Sequence, residues 1–120
     1  MTIHKLWPLL LLAVTASDGA DERRPCSATA RSEYKAQISR AFFSNWQPER
    51  GARSLSCTVV IAQNFRGEVL NVVVEECGEE VAVHKSVENA LYLSSPLPKP
   101  ENRSCFERTI HVQLSRRAQE

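Results

Sequence analysis

The residues of this chain whose types could do chemistry are few. They are four cysteines (Cys26, Cys57, Cys77, Cys105), the histidines His84 and His111, and the glutamate pairs Glu75-Glu76 and Glu79-Glu80. Thiols could hold a metal, exchange disulfides or cross-link the fold. Their spacings of 31, 20 and 28 residues include no Cys-x-x-Cys pair, which suits neither a zinc ribbon nor a dithiol redox motif. His84 and His111 have no acidic or nucleophilic residue at a recognisable spacing, so acid–base or nucleophilic catalysis is not indicated. The glutamates flank the Cys77-Gly78 break, where carboxylates stand in solvent. These residues imply no enzyme, no cofactor and no metal. An even number of cysteines in an oxidising compartment instead reads as two disulfides.

The start of the chain supplies that compartment. Lys5 precedes eleven mostly apolar residues, LWPLLLLAVTA at 6–16, and the chain then turns polar. This is the order of a secretory signal peptide, expected over 1–20, and the apolar run is shorter than the ~20 residues that span a bilayer. The expected product is an exported protein with no stable membrane anchor. A segment 21–30 leads into one domain at 31–115, followed by a tail at 116–120 whose Arg116 and Arg117 read as solvated. The net charge of +1 calls for neither nucleic acid nor an anionic membrane. About 100 residues form a modest core, which cross-links would help to stabilise.

The elements that position the cysteines follow from periodicity. Tyr34, Ile38, Phe42 and Trp46 lie four apart and mark the buried face of a helix over 31–46, stopped by Pro48. Residues 55–63 and 68–76 are rich in valine and are joined by Asn64-Phe65-Arg66-Gly67, a hairpin signal. The first of these strands is β-branched on both faces, as a central strand should be. A second helix is expected over 79–94, with Val83, Val87, Ala90, Leu91 and Ser94 on one face. Pro96, Pro98 and Pro100 end it and form a stiff connector. Residues 105–115 then alternate: Phe106, Arg108, Ile110, Val112 and Leu114 point one way, and Glu107, Thr109, His111 and Gln113 the other. The fold class is α+β, with the order α-β-β-α-β.

Chain direction places the strands. If the first runs up, the hairpin brings the second down and the second helix climbs back. The third strand then starts at the top, antiparallel to the first, and pairs beside it. The result is a three-stranded antiparallel sheet in order 2-1-3, packed against helices. Cys57 and Cys77 fall together at the bottom, Cys26 and Cys105 at the top. Those are the expected disulfides.

The helix YKAQISRAFFSNWQP at 34–48, the strand SCTVVI at 56–61, Gly67-x-Val69, CGEEVAVHKSVENA at 77–90 and SSPLPKP at 94–100 together resemble the C-terminal domain of TolA. The resemblance to that of TonB is more distant. It extends over about residues 32–114 and implies the fold derived above. It also implies a periplasmic protein-binding module of the Tol-Pal envelope system, with TolB-like and Pal-like partners, a domain that colicins and filamentous phage exploit. TolA itself carries a membrane helix and a long stalk. Here a leader runs almost directly into the domain, so the expectation is binding without membrane energy coupling.

The mode of binding expected is β-augmentation, in which a partner segment adds a strand to a sheet edge. The edges in order 2-1-3 are the second and third strands. The third is favoured, with Arg108, Thr109, Ile110, His111, Val112 and Gln113 as the candidate partner-binding residues. Proline at Ile110 is expected to remove a ladder donor there. The same edge could pair two copies as a homodimer. The alternative function is an exported inhibitor, decoy or immunity-type protein on the same fold.

Overall fold

The structure, a computed structural model, describes residues 24–47, 54–78 and 81–117. The expected leader, Pro48, Glu79-Glu80 and residues 118–120 of the tail lie outside them. Helix α1 spans Ala28–Asn45 and is followed by strands β1 (Leu55–Gln63) and β2 (Val69–Glu76). Helix α2 (Val81–Leu93), a short 3-10 turn (Arg103–Cys105) and strand β3 (Thr109–Arg116) complete the chain. The sheet is antiparallel in order β2-β1-β3. Disulfides join Cys26 to Cys105 and Cys57 to Cys77. Topology and pairing are those expected from chain direction.

Helix α1 begins three residues earlier than its apolar period suggests. Ser27 is extended, and its hydroxyl accepts the Ala30 N–H at 3.0 Å, satisfying a donor that the first turn leaves open. Tyr34, Ile38, Phe42 and Trp46 are all buried. They meet Val87, Ala90 and Leu91 of α2, Leu55, Cys57, Val59 and Ile61 of β1, Val72 of β2 and Ile110, Val112 and Leu114 of β3 in one core. Two polar bonds lock the helices together: Trp46 Nε1 donates to Ser86 Oγ and Asn45 Nδ2 to Ser94 Oγ, both at 3.1 Å.

β1 is the central strand, as expected, and it is buried on one face. Its alternate residues Leu55, Cys57, Val59, Ile61 and Gln63 are buried, while Ser56 is exposed and Thr58, Val60 and Ala62 are half-buried. Both helices pack on the same side, so valine on the other side reflects β propensity rather than a second core.

Gln63 ends the buried row, only 2% exposed. Its Nε2 donates to the Tyr34 hydroxyl at 2.9 Å and to the Glu107 carbonyl at 2.8 Å. Those two bonds satisfy the amide nitrogen, while the buried Oε1 has no hydrogen-bond partner among the described residues, so only part of the cost of burying the amide is offset. Burial pushes the Tyr34 hydroxyl above its ordinary pKa, only partly opposed by the bond from Gln63. β3 begins at Thr109 rather than Cys105. Asn102 caps the intervening turn by accepting the Ser104 N–H at 3.0 Å, and Cys105 is tied there to Cys26.

The proline connector is docked rather than merely extended. Leu97 is buried, and its N–H donates to the Gly67 carbonyl at 2.7 Å. Ser95 Oγ accepts the Val69 N–H at 3.0 Å. Gly67 has a φ of +84°, and a Cβ there would stand 2.6 Å from the Leu97 carbonyl oxygen. Only glycine allows both the turn and this close approach.

Candidate partner-binding edge

The backbone of β3 decides what its edge can offer. Its register with β1 runs without a shift from Leu55 opposite Arg116 to Ala62 opposite Thr109. One residue further on, the Gln63 N–H donates to the Arg108 carbonyl at 2.9 Å. In an antiparallel ladder, residues that bond across the pair alternate with residues that do not. Arg108, Ile110, Val112 and Leu114 therefore turn their backbone groups inward to β1. Thr109, His111, Gln113 and Ser115 turn theirs outward, away from β1.

The six candidate residues divide accordingly. Ile110 and Val112 are buried, at 0% and 2% exposure, and they hold the strand in the core. Thr109, His111 and Gln113 are exposed along the outer row. Gln113 also bonds across to β1, accepting from Thr58 Oγ1 at 3.1 Å and donating to Ser56 Oγ at 3.4 Å. That contact holds one outward position in register. Arg108 stands just before the strand, its guanidinium 5.2 Å from the centre of the Phe65 ring. The six are thus contiguous, but they present two rows with different tasks. Proline at Ile110 would remove an inward donor and unseat a core side chain, so the substitution that tests the outer edge is at His111.

The β2 edge is arranged differently. Its register with β1 shifts between Thr58 and Val59 and again between Ala62 and Gln63. Ser95 occupies the Val69 N–H, and Leu97 docks on the turn that leads into the strand. Shifts and covering segments of this kind blunt an edge against strand addition.

Two features escaped the sequence pattern. Arg116 is the last residue of β3, not part of a solvated tail, and its guanidinium lies 4.7 Å from the Phe43 ring centre and 5.1 Å from that of Trp46. Phe106 lies ahead of β3 and stacks on Phe65 with ring centres 5.5 Å apart. The only sequence signal for that stack was a large aromatic residue within a turn that otherwise favours small polar ones.

His84 Nε2 lies 2.9 Å from the Gly78 carbonyl, a structural contact at the start of α2. Among the described residues no three His, Cys, Asp or Glu side chains gather as a metal site, and no helix is long and apolar enough to cross a membrane.

The family model described as TonB C terminal matches residues 31–114. The chain belongs to the TonB C-terminal family. Domains of this family are non-catalytic protein-interaction modules of the cell envelope. The match covers α1 from Arg31 onward, β1, β2, α2 and β3 as far as Leu114, so Thr109, His111 and Gln113 fall inside the TonB C-terminal domain. No curated protein matches the chain.

Proposed function

We propose that this protein is a TolA-type periplasmic module that binds envelope proteins by accepting a strand on the outer edge of β3. The observation that carries this reading is the unbroken register of β3, which turns the backbone groups of Thr109, His111, Gln113 and Ser115 outward. Main-chain bonds along that row supply affinity, and the exposed side chains of Thr109 and His111 set the register of the incoming segment. Partners of the TolB-like or Pal-like kind, or colicin and phage segments, fit the resemblance of the whole domain to the TolA C-terminus.

The test is capture of partners from a periplasmic extract on the oxidised domain, alongside a His111→Pro variant. Proline is tolerated on edge strands where its missing N–H would face solvent. The variant should keep its circular dichroism spectrum and lose the captured TolB-like or Pal-like protein. Capture that survives in the folded variant would sink the edge mechanism. Capture of a single toxin or effector in place of envelope proteins would convert the function to that of an inhibitor or decoy.

A further inference from the structure

In the segment just ahead of β3, Phe106 lines a groove of about 640 Å³. Its apolar walls are Phe65, Pro100 and Phe106, and Lys99 and Arg103 stand on its rim. Phe65 is 70% exposed, a large apolar surface for a turn residue to leave in water. It is nevertheless held in place. Phe106 stacks against it, and the Arg108 guanidinium lies over its ring. A rigid aromatic ring loses little conformational freedom on binding, which is why such residues serve as anchors in interfaces.

The charges around the groove are unbalanced. Neither Lys99 nor Arg103 is paired with a carboxylate among the described residues. The carboxylate nearest in sequence to Arg108, Glu107, is engaged by Arg31 on α1 at 3.9 Å, and Glu68 is engaged by Arg66 at 3.5 Å. Glu101 is the one acidic side chain lining the groove. Lys99, Arg103 and Arg108 thus leave it with an excess of positive charge beside an exposed aromatic surface.

We infer that this groove is the specificity pocket for the end of the added strand, and that it takes a segment bearing an aromatic side chain next to a carboxylate. This deepens, and rests on, the reading of β3 as a strand-accepting edge. Backbone pairing along Thr109, His111 and Gln113 is nearly indifferent to sequence, because every non-proline residue carries the same donor and acceptor. Selectivity must therefore come from side-chain contacts, and Phe106, just ahead of Thr109 in the chain, sets the Phe65 groove beside the start of the strand. The aromatic residue of the partner packs on Phe65 and Phe106, and its carboxylate meets Lys99 and Arg103. The charged pairs also steer encounter, so association slows as salt is raised.

The experiment uses a displayed library of random decapeptides selected on the oxidised protein. Enriched peptides are resynthesised and measured by fluorescence anisotropy on the parent, Phe65→Ala, Lys99→Glu/Arg103→Glu and His111→Pro proteins. The expected consensus places Asp or Glu within two positions of Phe, Tyr or Trp near one end. Phe65→Ala should weaken its binding about tenfold, the charge reversal should weaken it at least as much, and His111→Pro should abolish it. A consensus without the acidic and aromatic pair, or affinity untouched by Phe65→Ala, overturns the pocket. In that event loss of binding in His111→Pro would still uphold the edge. Binding that persists in folded His111→Pro overturns the edge reading and the pocket's role with it, as does a selection that enriches nothing.

Discussion

The two outer strands flank the same central strand and belong to the same core, yet they pair with it differently. β2 is out of step with β1 at both ends, and the connector after α2 lays Ser95 and Leu97 along its beginning. β3 keeps one register over eight residues and ends with Arg116 packed over Phe43 and Trp46. A three-stranded open sheet necessarily has two edges, and an uncovered edge invites any strand it meets. Here the domain's own connector closes off the start of β2, through Ser95 on the Val69 N–H and Leu97 on the Gly67 carbonyl. The proline connector, which looks from the sequence like a spacer, belongs to that closure.

The largest test of the contrast lies within β3 itself. Ile110→Pro removes an inward donor and a fully buried side chain, so it should cost about 5 kcal/mol and unfold the domain by circular dichroism. His111→Pro, one residue away, should leave the melting temperature within a few degrees of the parent. Equal damage from the two would mean that the inward and outward rows are wrongly assigned.

The disulfides extend the comparison, because each secures one flanking strand. Cys26–Cys105 closes a loop with a sequence separation of 79 and anchors the turn before β3, whereas Cys57–Cys77 closes one of 20 at the end of β2. Loop-closure entropy predicts a loss of about 4 kcal/mol for the first and about 3 kcal/mol for the second. Paired Cys→Ala variants in urea titrations should show that order. The reverse order would place the more fragile anchor at β2.

The closed edge can be opened in two steps of decreasing size. Gly67→Ala forces a Cβ against the Leu97 carbonyl and a side chain into positive φ, at a cost of about 2 kcal/mol. Faster hydrogen exchange at the Leu97 amide and concentration-dependent self-association would show β2 uncovered. Ser95→Ala removes one acceptor from the Val69 N–H and should cost about 1 kcal/mol, with exchange accelerated at Val69 alone. A Gly67→Ala protein with Leu97 still protected would separate the connector from the protection of β2.

What could be read from the residues themselves was whatever depends on local period and chain direction. The four-residue spacing from Tyr34 to Trp46, the alternation from Ile110 to Leu114 and the hairpin turn at Gly67 are short-range signals. With them, the up-and-down path of the chain suffices to order the strands and to pair Cys57 with Cys77 and Cys26 with Cys105. The contiguous segment 108–113 was legible as a candidate edge on the same grounds. Its division into inward and outward rows was not, because that parity depends on which residue of β1 lies opposite, here Gln63 against Arg108. Nor could the sequence say that Ser95 reaches Val69, that Phe106 finds Phe65, or that Arg116 crosses to Trp46. Those contacts join residues 26, 41 and 70 positions apart, and no local periodicity encodes such a meeting. They arise when the core sets the distance between elements, so tertiary packing alone decided that the connector holds the start of β2 and that Phe106 meets Phe65 ahead of β3.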